Sequence, residues 1–268
     1  MNISILGCGW LGLSLGEFFV KKGYQVKGST TSKEKLSALI EKGIQAFEIN
    51  LSPQPDGDLS SFLHSDILII NIPPGTRTKP ENFHTEQISN LLPFLQKSNI
   101  KKVIYISSTS VYPDLNREVK EEDVLTLEQA ANKTLACVEI LLQSEKSFQT
   151  TILRCAGLTG YDRLLIRHFA GKKDLSIGEE PINLIHREDV IGIISTVIEK
   201  NKWNEVYNIC SPEHPFKKQY YPALAKRYGY EIPEFKKPVN TSFKIINTEK
   251  LVKDLNYTFI YPDLMNQL

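Results

Sequence analysis

The residues ISILGCGWLG, 3–12, decide the fold of this chain, because an apolar run here leads directly into the pattern GxGxxG. Residues 3–6 predict a strand, and Gly7 permits the tight turn at its end. Gly9 lets the backbone approach a phosphate closely, and Gly12 lets the next helix pack against the sheet. The stretch therefore predicts a strand, a turn and a helix that together hold the pyrophosphate of a nucleotide.

The helix after this turn supplies the rest of the anion site. It should begin near Trp10 and place Leu11, Leu15 and Phe18 on one apolar face. The first N–H groups of the helix, including those of Trp10 and Leu11, have no partner within it and carry a partial positive charge. They can hold an anion without a charged side chain. A second strand over residues 24–28 completes a strand–helix–strand unit, and in that context the glycine motif indicates nucleotide binding.

The composition excludes several classes of protein. The chain has 268 residues, 41% of them hydrophobic, which is enough for one large α/β core with an appended lobe. Lys and Arg number 32 against 31 Asp and Glu, so the net charge of +1 predicts neither a nucleic-acid nor a membrane partner. No apolar run reaches the ~20 residues of a membrane span, and Met1 leads directly into the first strand. We expect a soluble cytoplasmic protein, a monomer or homodimer, that acts on a small molecule.

The cysteines point to the same compartment. They are scattered without the spacing of a zinc site: Cys8, Cys137, Cys155 and Cys210. We expect reduced thiols in the core and no metal site.

The end of the second strand bears on the choice of cofactor. It runs into SerThrThrSerLys, residues 29–33, without an acidic residue to bind the ribose hydroxyls of NAD. Hydroxyls with a lysine at a helix start suit a 2′-phosphate, so Thr31, Ser32 and Lys33 favour NADP over NAD. Alternatively, Thr31 or Ser32 simply caps the next helix, which is compatible with either cofactor.

Two later strand ends should lie at the same edge of a parallel sheet. Apolar runs alternate with helical segments, which indicates a parallel sheet covered on both faces. The run over residues 66–72 ends at Ile72, and Pro73 follows it. Both residues should border the cofactor. The next strand ends in ISSTSVYP, residues 106–113, with four hydroxyls and Tyr112. Since ligands bind at the carboxyl edge of such sheets, these side chains are candidates for the chemistry.

The order of the motifs resembles the extended short-chain dehydrogenase/reductases, the family of sugar-nucleotide epimerases and dehydratases. The motifs are GCGWLG at Gly7, SSTSVYP at Ser107, LRCAGLTGYDR at Leu153, INLIHREDV at Ile182 and KIINTEKL at Lys244. The resemblance implies an α/β Rossmann fold, a doubly wound parallel sheet with a small C-terminal substrate lobe. Residues 1–158 and 182–211 would form the dinucleotide-binding domain, and residues 159–181 and 212–268 the lobe, including a proline-punctuated linker near residues 233–238.

The resemblance also assigns roles to individual residues. Asn50 and Leu51 stand where the family often has Asp-Leu near the adenine, and Ser108 matches its catalytic serine. In the family the counterpart of Tyr112 is more often a wall of the substrate pocket than a catalyst, yet it is the other candidate proton donor here. Residues 161–163 should open a helix towards residue 170, and Arg163 among them could bind a phosphate or carboxylate of the substrate. His186 is a further candidate for the substrate pocket.

The Tyr-x-x-x-Lys pair of that family is missing. In the expected helix over residues 125–143, one register puts Ala131 and Leu135 at the two positions, and a competing register pairs Gln129 with Lys133. Apolar residues at spacings of three and four favour the first register and direct Lys133 to solvent. The resemblance thus implies an atypical NAD(P)-binding protein that acts on a sugar nucleotide or small carbonyl compound, or a non-catalytic NAD(P) sensor.

Overall fold

The computed structural model describes residues 1–75, 78–237 and 241–267. The strands are β1 Asn2–Leu6, β2 Gln25–Thr30, β3 Gln45–Leu51, β4 Pro55–Gly57, β5 Ile67–Ile70, β6 Lys102–Ser108, β7 Arg117–Val119, β8 Gln149–Cys155, β9 Gly157–Thr159, β10 Leu184–His186, β11 Val206–Ile209 and β12 Lys244–Ile246. The α-helices are α1 Trp10–Lys21, α2 Leu36–Glu41, α3 Leu59–Phe62, α4 Phe83–Lys97, α5 Lys133–Ser144, α6 Arg187–Glu199, α7 Lys217–Tyr228 and α8 Glu249–Leu255. The 3-10 helices are Lys33–Lys35, Thr109–Val111, Glu121–Asp123, Leu165–His168 and Leu264–Gln267.

One large sheet organises the chain. Its strand order is β11-β8-β6-β5-β1-β2-β3-β4, and every neighbouring pair is parallel except β3 with β4. All four residues of β5 are fully buried, as expected for a strand covered on both faces. The chain moves outward from β1 to β3 and then returns to the other side of β1, so the order reverses between β1 and β5. This confirms the predicted doubly wound sheet, a fold in which ligands generally bind where the strand order reverses.

A second apolar cluster lies outside the main core. Ile166, Ile182, Tyr221 and Leu224 are buried together there, and the β9–β10 pair leads into it. Residues 244–255, which the predicted division assigns to the lobe, contribute three buried side chains to the main core: Ile246, Leu251 and Leu255. The last residue of the predicted proline-punctuated linker, Pro238, lies outside the described residues.

The helix expected over residues 125–143 begins late, at Lys133. Asn132 caps it, because the Asn132 Oδ1 atom accepts a hydrogen bond from the Leu135 N–H at 3.2 Å. Upstream, the Gln129 side chain accepts the N–H groups of Leu125 and Thr126, which holds a loop in place of the first helical turns. Side chains that bond to the local backbone compete with helix formation, and apolar spacing alone does not reveal this.

The helix expected from residue 161 is also wrong. Tyr161 has a φ of 53°, which breaks the helical path, and only the 3-10 helix Leu165–His168 follows. The helix α4 contains Pro93 and continues beyond it to Lys97, so this proline does not end the helix. Among the helices of the described residues, none combines the length and apolarity that crossing a bilayer requires.

Candidate functional site

The glycine loop is shaped by the end of β2. The Gly7 N–H donates to Ser29 Oγ at 2.9 Å, and the Cys8 N–H donates to the Ser29 carbonyl at 2.7 Å. Gly7 has a φ of 101°, and a Cβ there would lie 2.6 Å from the Asn71 carbonyl oxygen. A side chain at Gly12 would meet the Gly7 carbonyl oxygen. These two glycines are therefore required by the protein's own packing.

Gly9, unlike Gly7 and Gly12, is not required by the packing of the described residues. A Cβ at Gly9 would meet nothing within 4 Å, so the protein itself leaves that space open. The first hydrogen bond of α1 joins the Leu13 N–H to the Gly9 carbonyl at 3.0 Å. The N–H groups of residues 10–12 precede it and are the donors that a helix start leaves unpaired. The loop thus pairs open space with free donors, which is the arrangement that holds a phosphate.

A cavity of about 290 Å³ opens beside this loop, at the carboxyl edge of the sheet. Seven residues predicted to bind the cofactor line it: Gly7, Gly9, Thr31, Asn50, Leu51, Ile72 and Pro73. Trp10, Leu11 and Gly12 stand beside it at the start of α1. Residues that the sequence did not single out complete the wall, among them Cys8, Ser29, Lys35 and Gln87.

The basic residue at this cavity is Lys35 rather than Lys33. Lys33 is 78% exposed and points towards the Glu48 carboxylate at 3.9 Å. Ser32 donates its hydroxyl to Glu34, an acidic residue one position beyond the stretch that the sequence singled out. Neither Ser32 nor Lys33 lines the cavity. The 3-10 turn over residues 33–35 decides which lysine turns towards the ligand space, and this is not readable from composition.

A buried polar chain supports the far wall of the cavity. The Gln87 side-chain amide donates to the Leu51 carbonyl at 2.6 Å, and its Oε1 atom lies 3.1 Å from His84 Nδ1. His84 Nε2 lies 2.8 Å from the Tyr105 hydroxyl. Burial lowers the pKa of His84, so the ring is neutral and can accept one bond while donating the other. Through these contacts α4 fixes the end of β3 at the cavity.

Ser108 lies at the carboxyl end of β6, where the sequence places it. Its Oγ atom accepts a hydrogen bond from the Ser110 N–H at 3.1 Å, which caps the 3-10 helix Thr109–Val111. The Ser108 hydroxyl proton stays available to a ligand. The side-chain nitrogen of Asn132, the cap of α5, lies 3.4 Å from the Ser110 hydroxyl oxygen. The edge of the sheet and the start of α5 thus meet at one place.

Tyr112 does not lie at that edge as a free acid. It is fully buried, donates its hydroxyl to Asn208 Oδ1 at 2.7 Å and accepts from Arg154 at 2.8 Å. Burial raises the pKa of Tyr112 well above its ordinary value. A tyrosine that is sealed from solvent and poorly acidic cannot exchange a proton with a ligand. We correct the sequence interpretation and assign Tyr112 to the core.

The partner of Tyr112 belongs to a buried ion pair. Arg154 and Glu139 are almost completely buried, and the Arg154 Nη2 atom lies 2.8 Å from Glu139 Oε2. Arg154 Nε also donates to Glu139 Oε2, at 3.1 Å, and the other three N–H groups donate to the Tyr112 hydroxyl and to the carbonyls of Glu121 and Val124. All guanidinium N–H groups are therefore used. This cluster joins α5 to β8 and is structural.

The start of α5 has neither a tyrosine nor a buried lysine. Ala131 is exposed in the preceding loop, and its N–H donates to the Val111 carbonyl at 2.9 Å. Lys133 is the first residue of the helix and is exposed, as predicted, whereas Leu135 is buried. Ala131 is not part of the buried helical stripe, because the helix begins after it.

Of the two predicted substrate residues, Arg163 contacts Trp10 at the start of α1, and His186 immediately precedes Arg187, which also contacts Trp10. The Arg163 guanidinium carbon is 5.3 Å from the centre of the Trp10 indole ring. His186 is buried, caps α6 by accepting the Glu188 N–H at 3.2 Å, and lies 3.8 Å from the Tyr261 ring. Burial lowers the pKa of His186. The ring positions its neighbours, and direct substrate contact by His186 remains a prediction.

The cysteines and the acidic groups add no further site. All four cysteines are free, and Cys8, Cys155 and Cys210 are buried. Burial raises the pKa of Cys8 to about 12, so the thiol at the cavity wall is not a nucleophile. Within residues 1–75, 78–237 and 241–267, no group of three His, Cys, Asp or Glu side chains is placed to hold a metal ion.

We compared the chain with protein families, with curated proteins and with solved structures. The model of the NAD dependent epimerase/dehydratase family matches residues 5–210. The chain is 32% identical over 266 residues to Protein YeeZ of Escherichia coli (strain K12), covering 98% of this chain and 97% of that protein. A conserved protein of unknown function from Silicibacter pomeroyi superposes with a TM-score of 0.78 at 19% identity, covering 98% and 94% of the two chains.

A second solved structure carries ligands. The UDP-glucuronic acid 4-epimerase from Bacillus cereus, in complex with UDP-glucuronic acid and NAD, has a TM-score of 0.76 at 20% identity, covering 99% of this chain and 96% of that one. At this level of identity the likeness establishes the shared fold. The family itself follows from the family model and from the relative in Escherichia coli.

Proposed function

This chain belongs to the NAD dependent epimerase/dehydratase family, and we propose that it binds NADP(H) at the glycine loop and transforms a small carbonyl compound or sugar nucleotide. The observation that carries this proposal is the space at Gly9. The protein leaves it open beside three unpaired helix N–H groups, in a cavity at the carboxyl edge of the sheet. The four free cysteines support a reducing, cytoplasmic setting.

Different residues around the cavity fit different parts of a dinucleotide. The N–H groups of residues 10–12 would bind the pyrophosphate, and Asn50 with Leu51 would flank the adenine. Gln87 holds the Leu51 carbonyl in place, so the adenine wall is set before the ligand arrives. Ile72 and Pro73 line the same cavity and would contact the cofactor. A bound nicotinamide would supply the hydride chemistry, and the protein's part is to orient and to donate hydrogen bonds.

Lys35 supports the preference for NADP. It lines the cavity near Thr31, where an ammonium group would lie close to a 2′-phosphate. Lys33 offers a matched control, since it belongs to the same 3-10 turn but lies towards Glu48. By calorimetry we expect NADPH to bind more tightly than NADH. Lys35→Ala should lower the ratio of NADPH affinity to NADH affinity at least tenfold, whereas Lys33→Ala should change this ratio less than twofold. Equal affinity of the parent protein for the two cofactors would refute this assignment.

Ser108 is the side chain that we propose for the reacting end of the substrate. Its hydroxyl lies at the end of β6 and can donate to a carbonyl or hydroxyl oxygen, while Tyr112 is sealed in the core. Ser108→Ala should therefore lower turnover at least tenfold with little change in cofactor affinity. Ser110→Ala, two residues away, is the control. If both variants kept full turnover, the proton would have to come from the substrate or from water.

A second function is supported by the start of α5. Where the family carries its tyrosine and lysine, this chain has an exposed Ala131 and a buried Leu135. A dinucleotide sensor without catalytic activity would need neither acid nor base. Turnover separates the two proposals: NADPH oxidation with sugar nucleotides or small carbonyl compounds supports the enzyme. Micromolar NADPH binding, with no oxidation across such a substrate panel, supports the sensor.

A further inference from the structure

Two arginines share one indole ring beside the glycine loop. The guanidinium carbon of Arg187 lies 4.6 Å from the centre of the Trp10 ring, and that of Arg163 lies 5.3 Å from it. Arg187 is also 4.4 Å from the Tyr161 ring. Two aromatic faces therefore fix the guanidinium of Arg187, whose side chain is only 16% exposed. We call Trp10, Tyr161, Arg163 and Arg187 the arginine–aromatic cluster.

Stacking leaves the N–H donors of these arginines unused, because the donors lie in the plane of the guanidinium. Arg187 Nε is buried without a hydrogen-bond partner. The nearest carboxylate oxygen, on Glu188, is 3.8 Å from it, which is too far for a hydrogen bond. Arg187 thus forms a long ion pair with Glu188 but no hydrogen bond, and the Arg163 side chain makes neither with the described residues. A buried donor without an acceptor is destabilising unless a ligand completes it.

The acidic side chains nearby are already engaged with aromatic groups. Asp162 Oδ1 accepts from the Trp10 indole N–H at 2.8 Å, and Glu188 Oε1 accepts from the Tyr161 hydroxyl at 3.0 Å. These bonds orient Trp10 and Tyr161 around Arg187. The carboxylates balance part of the charge of the arginines without occupying their donors. Contacts within the protein thus hold the side chains of the cluster in place, while the donors of its arginines remain free to bind an acceptor.

We propose that Arg187 and Arg163 form an oxyanion subsite for the substrate, which takes a phosphate or carboxylate group lying over Trp10. This inference rests on the proposed function, because it assumes that a substrate enters beside the bound cofactor. Trp10 is the first residue of α1, so the subsite adjoins the loop that would hold the cofactor pyrophosphate. Two arginines there would offset the repulsion between that pyrophosphate and a second anion. The substrate of this protein is accordingly anionic.

Trp10 provides a direct signal for the test. The chain has two tryptophans, and the other, Trp203, is largely buried and bonded to Asn201. In Trp203→Phe, fluorescence therefore reports Trp10 alone. We would titrate sodium pyrophosphate and, separately, sodium malonate at constant ionic strength, with NADP⁺ held at saturation so that the glycine loop is occupied. Calorimetry with the unsubstituted protein repeats each titration independently of the Trp203 substitution.

We expect a saturable change of Trp10 fluorescence with at least one probe, and the tighter probe identifies the group as phosphate or carboxylate. Arg187→Gln and Arg163→Gln should each weaken that binding at least tenfold. Arg227→Gln is the control, because Arg227 also stacks on an aromatic ring, 5.7 Å from Tyr228, but on α7. Its affinity for the probe should change less than twofold.

Three results would overturn the subsite: no binding of either probe, equal affinity in Arg187→Gln and the parent, or binding of the probe only when NADP⁺ is left out. The last result would mean that the arginines serve the cofactor. Calorimetry of NADP⁺ alone keeps the two proposals apart. If the parent protein failed to bind NADP⁺, the proposed function would fail, whereas normal NADP⁺ binding with no anion binding would refute the subsite only.

Discussion

Replacing Gly9 by valine should abolish most cofactor binding while leaving the fold intact. A Cβ at Gly9 meets no atom of the described residues within 4 Å, and Gly9 has a φ of −81°, so a side chain here can begin without a clash at Cβ and without left-handed strain. We expect the free energy of unfolding to change by no more than about 0.5 kcal/mol, as for an unconstrained surface position. The added methyl groups would instead occupy the space left for the pyrophosphate.

The expected loss follows from the donors of that space. A hydrogen bond to a charged acceptor contributes roughly 1.5–3 kcal/mol, and about 1.4 kcal/mol corresponds to a tenfold change in affinity. Holding the phosphate away from one N–H group therefore predicts a tenfold to roughly hundredfold weaker binding of NADPH. Calorimetry measures this loss, and circular dichroism with urea denaturation checks the fold.

Gly12→Ala provides the contrast. A Cβ at Gly12 would press on the carbonyl oxygen of Gly7, so α1 and the loop would have to separate. We expect this variant to lose about 1–3 kcal/mol of stability, the usual effect of overpacking. A folded Gly9→Val protein with unchanged affinity for NADPH would refute the assignment of the loop to the cofactor.

Three further results are expected. Lys133→Ala should change neither NADPH affinity nor turnover, because Lys133 is exposed at the start of α5; lost turnover at unchanged stability would restore the Gln129 and Lys133 register. Glu139→Gln should lower the free energy of unfolding, measured in urea, by about 3 kcal/mol, since it leaves Arg154 buried without a counter-charge; a loss below about 1 kcal/mol would contradict this. The hydrogen bond from Gln96 is the main cause that lowers the pKa of Glu145 from 4.5 to about 2. Its stabilisation is present above pH 4.5 and is lost as the pH falls towards 2, so Glu145→Gln should lose less stability than the parent between pH 7 and pH 2. An equal loss in both proteins would exclude this contribution.

The glycine loop and the sheet could be predicted from the sequence because their causes are local. Gly7 and Gly12 are required by packing within a turn of a few residues, Gly9 completes the pattern between them, and apolar runs such as residues 67–70 indicate strands covered on both faces. The missing Tyr-x-x-x-Lys pair is likewise visible in the sequence alone. These features predicted the fold and the edge of the sheet at which we propose that the cofactor binds.

The tertiary structure decided which side chains face that edge, because this depends on partners far along the chain. Tyr112 follows the same strand as Ser108 but is bound in the core by Arg154, 42 residues later. Lys35 rather than Lys33 lines the cavity because a 3-10 turn sets their directions. Arg187 is 177 positions from Trp10, and only the packing of α6 beside α1 brings the two together. Apolar periodicity records which face of an element is buried, whereas hydrogen bonds between distant segments determine where a polar group points.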